Sequence, residues 1–191
     1  MIIKGFPTQY QTSETAHLFL MLIIELLKSD GKAGIVFPDG SLTGDSVKAK
    51  IREKLLTDCN LHTIVRLPNS VFAPYATVAT NLLFFTKGEP TKEVWYYEHT
   101  LPEGQKSYSK TKPIRYEEFK PIQEWWNDRK ENEVAWKVSI EELKERGFDL
   151  DIKNPNKKEE VIEYSSKELI KKLNDSFIES QRLLEEIRRE L

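Results

Sequence analysis

The chain has a single cysteine, Cys59, which excludes an internal disulfide framework and a cysteine-based zinc cluster and suits a reducing, cytoplasmic setting. It also lacks an excess of either charge. With 29 basic and 31 acidic residues and a net charge of -2, nothing in the overall electrostatics draws it to DNA, RNA or an anionic membrane, so any nucleic-acid contact is local. Long apolar runs are missing too. The longest, Leu18–Ile24, reaches Leu27 only by crossing Glu25, well short of the roughly 20 residues of a membrane span. Met1–Tyr10 has no basic-then-apolar-then-small order of a secretory signal. No His-x-x-x-His, Cys-x-x-Cys or acidic calcium loop occurs, so no metal site is expected. A length of 191 residues suits one domain, or one with an appendage.

What is present is unevenly spread. The first 90 residues carry 9 basic and 8 acidic side chains, and the remaining 101 carry 20 and 23. The first part holds the continuous apolar runs of a sheet buried on both faces; the second reads as surface elements, linker and solvated helix.

The periodicities predict a buried helix over Glu14–Lys28, capped by Thr12 or Ser13, then a strand at Ala33–Phe37 stopped by Pro38-Asp39-Gly40. Asp45–Thr57 is an amphipathic helix with Val47, Ile51 and Leu55 on one face. Leu61–Leu67 and Val78–Thr86 are strands joined by about ten residues without a helix, too few for a parallel crossover, so that pair is expected to be antiparallel. Val94–Glu98 adds an edge strand, Leu101–Pro113 is a linker-like loop, and Ile114–Arg129 holds a short helix interrupted by Pro121. All four tryptophans, Trp95, Trp125, Trp126 and Trp136, lie here and supply aromatic surface for docking onto the core. Val138–Gly147 runs from a strand end into a short helix, and Phe148–Ile152 is extended. At the tail, Ser165 and Glu168 have capping-box spacing, and Ile170, Leu173, Phe177, Leu184, Ile187 and Leu191 form a heptad stripe. A helix of roughly 26 residues spans about 39 Å, so the stripe needs a partner surface, in its own core or on another chain.

Several patterns invite chemistry and resist it. Gly40-Ser41-Leu42-Thr43-Gly44 places serine wrongly for a nucleophile elbow and lacks the Gly-Lys-Ser/Thr of a phosphate loop. Lys48 and Arg52 form either a phosphate-facing stripe or a solvated helix face. Asn154-Pro155-Asn156 lacks the second proline and the aromatic of an Asn-Pro-Pro-aromatic motif and reads as a turn. The unusual loop is Leu67–Tyr75, LPNSVFAPY, with Phe72 among small residues and Pro74 and Tyr75 behind it. Its ring either packs into the core or stacks on a planar ligand.

Taken together, Lys32–Gly44 (KAGIVFPDGSLTG), Ile51–Phe72 (IREKLLTDCNLHTIVRLPNSVF) and Thr80–Gly88 (TNLLFFTKG) resemble the later part of the catalytic domain of type I restriction-modification methylase subunits, which are adenine-N6 DNA methyltransferases. EVWYYEH, the Lys112–Phe119 stretch, Trp125-Trp126, AWKVS and FDLDIKNPN extend the resemblance through nearly the whole chain from about Thr12. It implies an α/β fold: the C-terminal part of a Rossmann-like, S-adenosylmethionine-dependent methyltransferase sheet, comprising its last three strands with the final one antiparallel, plus a C-terminal helical extension. The implied organisation is residues 1–90 for that part of the catalytic domain, 91–160 for an aromatic-rich peripheral segment and 161–191 for the amphipathic helix.

The resemblance also assigns roles. Phe72 matches the aromatic that stacks on the flipped target adenine, with Pro74 and Tyr75 in the same target-base loop. The cofactor's Gly-rich turn and the catalytic Asn-Pro-Pro-aromatic sequence have no counterpart; Ile2–Gln9 (IIKGFPTQ) does not contain the latter. No catalytic or cofactor-binding residue is therefore expected in this chain, which is expected to be inactive alone and to bind no S-adenosylmethionine. Expected partners are the DNA-specificity subunit, double-stranded DNA in the intact complex, a restriction subunit and a separate N-terminal methylase half. The other reading is a catalytically inert interaction module that binds the specificity subunit or that N-terminal half. With strands missing, the sheet is expected to expose an edge and the apolar helix, so the isolated chain should self-associate or be marginally folded.

Overall fold

The computed structural model describes residues 5–157 and 165–190, which fall into two units divided at Lys157/Lys158. In the first unit, α1 (Thr15–Leu26) leads to β1 (Lys32–Pro38), α2 (Val47–Asp58), β2 (Cys59–Arg66) and β3 (Thr80–Lys87). β4 (Glu93–Glu98), α3 (Lys120–Asn127), β5 (Ala135–Ser139) and α4 (Ile140–Glu145) follow. The sheet order is β1-β3-β2-β4-β5. β3 runs antiparallel to both β1 and β2, as the short connection requires, and β4 lies parallel to β2.

Some expectations change. The sheet has five strands: the three expected of the methyltransferase part, the Val94–Glu98 region, and a fifth at Ala135–Ser139. β4 is internal, because β5 pairs antiparallel along its outer side, with Tyr96 opposite Trp136. The strand that follows Pro90 joins the same sheet. Pro121 does not interrupt a helix; it occupies the first turn of α3, where its missing N–H is no loss, after a 3-10 turn at Tyr116–Phe119.

The sheet's alternation sorts its residues between two faces. On one face Phe37, Leu83, Phe85, Leu61, Ile64, Tyr96 and Trp136 pack with Leu20, Met21 and Ile24 of α1 and Ile51, Leu55 and Leu56 of α2. On the other, Val65 and Tyr97 pack beneath Ile122 and Trp125 of α3. This second face is only half covered. Val65, Leu82 and Val36 stand in one row across β2, β3 and β1, and exposure rises along it from buried Val65 to Val36 at 55 %. An apolar groove of about 530 Å³ opens between β2, β3 and α3, lined by Leu82, Phe84, Phe119, Ile122 and Trp126.

α1 is not buried all round as its composition suggests: His17, Leu18, Leu20, Met21 and Ile24 face inward, while Phe19 and Leu26 face solvent. Its N-cap is Glu14, whose N–H bonds Thr12 Oγ1 at 3.1 Å. No helix among the described residues is long and apolar enough to cross a membrane.

The second unit is α5 (Ser166–Glu190). Ser165 and Glu168 form the expected reciprocal cap: Glu168 Oε2 accepts from Ser165 N at 2.8 Å, and Ser165 Oγ accepts from Glu168 N at 3.3 Å. Ile170, Leu173, Phe177, Leu184 and Ile187 are all exposed along it, as are Leu169 and Ile178. Leu191, the last member of the stripe, lies outside the described residues.

Candidate functional site

The ends of β1 and β2 and the start of β3 meet at one rim of the sheet, and the Leu67–Tyr75 loop rises from it. Two backbone bonds close its base: Leu67 N–H donates to Thr80 O at 3.0 Å, and Asp39 N–H donates to Ala79 O at 2.9 Å. Inside, successive turns run Val71 N to Pro68 O, Ala73 N to Ser70 O and Tyr75 N to Phe72 O. Phe72 faces outward from these turns. Its ring is 41 % exposed and Tyr75 is 87 % exposed, whereas Val71 beside it packs toward the core. Pro74 is exposed between them.

Beneath the loop lies a polar cluster that periodicity did not reveal. Arg66, the last residue of β2, donates through Nη2 to Asp39 Oδ1 at 3.0 Å and to Asp151 Oδ1 at 2.7 Å, and through Nη1 to Ile152 O at 2.7 Å. Asn81 Nδ2 donates to the same Asp39 oxygen at 3.1 Å. Asp39 sits where β1 ends, so one carboxylate oxygen ties the rims of three strands together. Burial opposes ionisation of Asp151, but the hydrogen bond and charge of Arg66 outweigh it and lower its pKa.

The two basic residues read as either a phosphate-facing stripe or a solvated face sit differently from each other. Arg52 is 1 % exposed and donates to the carbonyls of Phe148 at 2.6 Å, Thr43 at 2.8 Å and Gly44. It is an internal brace between α2, the loop before it and the segment after α4, and cannot reach a phosphate. Lys48 stays at the surface, paired with Glu14 at 3.3 Å.

The three histidines are packing residues. His17 is buried edge-on to Phe37 at 5.5 Å, His62 stands edge-on to Trp126 at 5.8 Å and His99 stacks on Phe119 at 5.1 Å. Burial lowers the pKa of all three, that of His62 to about 4. Among the described residues no group of three or more His, Cys, Asp or Glu side chains is arranged to hold a metal.

This sheet, ordered 1-3-2-4-5 with an antiparallel strand inserted between β1 and β2, has known counterparts. The N-6 DNA methylase family model matches residues 4–164. The chain belongs to the N-6 DNA methylase family. It is 56 % identical over 167 residues to the EcoEI methylase subunit of a type I restriction enzyme from Escherichia coli, a match covering 84 % of this chain and 34 % of the relative. The EcoKI methylase subunit from E. coli K12 is 35 % identical over 148 residues, covering 70 % of this chain and 27 % of its own length. Among solved structures, a type I restriction enzyme modification subunit from Vibrio vulnificus superimposes with a TM-score of 0.78 at 47 % identity, over 85 % of this chain and 36 % of that one. The chain thus spans about a third of the relatives it matches.

Methylases of this family use S-adenosylmethionine. The turn after β1 is a 3-10 turn, Asp39–Ser41, that buries Ser41 and leads into buried Leu42.

Proposed function

We propose that this chain supplies the target-base loop and subunit contacts of a type I DNA adenine-N6 methylase, while another polypeptide segment supplies the cofactor site and the Asn-Pro-Pro-aromatic motif. The supporting observation is the Phe72 loop: a partly exposed ring, raised on consecutive turns at the rim where β1, β2 and β3 meet. A flipped adenine has a π-face that such a ring stacks on, and stacking of this kind contributes about 1–3 kcal/mol per base. Pro74 and Tyr75 extend the apolar tip. α5 presents the stripe that reaches the DNA-specificity subunit; its apolar side chains stand exposed at heptad spacing.

Reconstitution tests this. The chain is combined with an N-terminal methylase half and a specificity subunit, and transfer of labelled methyl from S-adenosylmethionine to double-stranded DNA is measured. Activity is expected only with all components, and Phe72→Ala is expected to lower it at least tenfold. Full activity of Phe72→Ala overturns the base-stacking role.

The second reading, an inert interaction module, is favoured by the half-covered sheet face and the outward apolar residues of α1. It predicts stable binding of an N-terminal half without methyl transfer.

A further inference from the structure

Residues 101–113 read as a linker, yet Tyr108 within them is 2 % exposed. Its backbone N–H donates to Ser70 Oγ at 2.8 Å. Ser70 lies two residues before Phe72. Among the described residues, this is the one hydrogen bond that joins residues 68–78 to any other part of the chain; the remainder are turns within the loop itself. Tyr108 is in turn held firmly. Its hydroxyl donates to Glu118 Oε2 at 2.5 Å and lies 3.2 Å from His99 Nε2. Glu118 is fixed through its other oxygen, which accepts from Arg115 N at 2.8 Å, and His99 is fixed by stacking on Phe119 and by its own N–H to Arg66 O at 2.9 Å.

The chain of contacts therefore runs from the body of the protein to the loop tip: β4's end and the 3-10 turn before α3 hold Tyr108, and Tyr108 holds Ser70. The backbone bonds at its base and the packing of Val71 seat the loop, and the Tyr108–Ser70 bond adds a hydrogen-bonded tether next to its tip, where it constrains the direction of Phe72. We propose that Tyr108, acting through Ser70, is a positioning residue for the target-base loop, and that residues 99–119 orient Phe72 toward its base. This rests on the stacking role given to Phe72 above. The hydroxyl of Tyr108 matters through Glu118 and His99, and its backbone N–H makes the contact itself.

The test begins with the chain by itself. Backbone 15N relaxation is measured for wild type, Ser70→Ala and Ser70→Thr. Ser70→Ala removes one hydroxyl from a half-buried loop position and leaves the sheet untouched. Order parameters over residues 69–76 are expected to fall below about 0.6, with Ser70→Thr restoring them. Unchanged relaxation in Ser70→Ala overturns the proposal. In the reconstituted assembly, Ser70→Ala is expected to lower kcat about fivefold without changing KM for S-adenosylmethionine, and to have no further effect when Phe72 is already alanine. An undiminished Ser70→Ala effect in the Phe72→Ala background overturns action through Phe72. If Phe72→Ala alone is fully active, the stacking role falls, while the relaxation data still decide whether Tyr108 holds the loop.

Discussion

Arg66 Nη2 donates to Asp151 Oδ1 across 2.7 Å, joining residues 85 positions apart in the chain. The contact brings the extended segment after α4 back against the end of β2, directly under the base of the Phe72 loop. Because the same guanidinium also holds Asp39, removing it leaves two carboxylates side by side in a partly buried rim. Arg66→Ala is therefore expected to destabilise the sheet unit by about 2–3 kcal/mol, less than for a fully buried pair because water reaches the rim. Thermal denaturation followed by circular dichroism checks this; a melting temperature equal to wild type contradicts it.

Arg52 gives a sharper case. Three carbonyls surround a guanidinium with 1 % exposure, and an ammonium cannot reach all three from one point. Arg52→Lys is expected to cost about 2–3 kcal/mol, which in a chain of this size lowers the melting temperature by roughly 4–12 °C. A variant as stable as wild type would mean that the brace is dispensable.

His62 makes stability depend on pH in a defined direction. Burial, then the charges of Arg129 and Lys32, depress its pKa to about 4. The unfolded chain, with an ordinary value near 6.5, binds more protons between those limits, so stability falls as pH drops from about 6.5 to 4 and is constant above that window. His17 and His99 act in the same sense. The difference between wild type and His62→Gln isolates the His62 share: the variant's urea midpoint should fall less steeply over pH 6.5 to 4. Parallel profiles would sink the assignment.

The reach of the sequence differed among these residues for physical reasons. Long apolar runs and connection lengths report on strands and their direction, and α1 to β3 lie within a few residues of where periodicity places them. Arg52 was assigned to the polar face with Lys48, yet its i+3 and i+4 neighbours are Leu55 and Leu56, which share its buried side. That spacing was the available signal. Tyr108 had none: a Pro-, Gly- and Ser-containing stretch reads as linker, and its contacts with Glu118, His99 and Ser70 exist only in the folded chain. The Asp39–Arg66–Asp151 cluster is equally invisible in one dimension, because it joins the ends of β1 and β2 to the segment after α4.

The stripe on α5 predicts a separable function. α5 belongs to a unit of its own, so deleting residues 158–191 should leave the melting temperature of the sheet unit within about 2 °C of the intact chain. Phe177→Asp, which puts a charge in the centre of the stripe, should abolish co-purification with a specificity subunit while leaving the far-ultraviolet spectrum intact. Co-purification that survives this change would move the contact elsewhere.

The uncovered half of the sheet carries the last expectation. Among the described residues β1 pairs only with β3, so its other edge presents free N–H and C=O groups beside exposed Val36, with Phe19 and Leu26 of α1 facing solvent. An open edge flanked by apolar surface is a template for association. Sedimentation of the isolated chain should show dimers or larger species that grow with concentration. Val36→Lys places a charge on that bare face, as natural edge strands do, and is expected to shift the distribution toward monomer without lowering thermal stability. An N-terminal methylase half that covers this face should have the same effect on wild type. A wild-type chain that stays monomeric across the concentration series would show that the edge is protected without a partner.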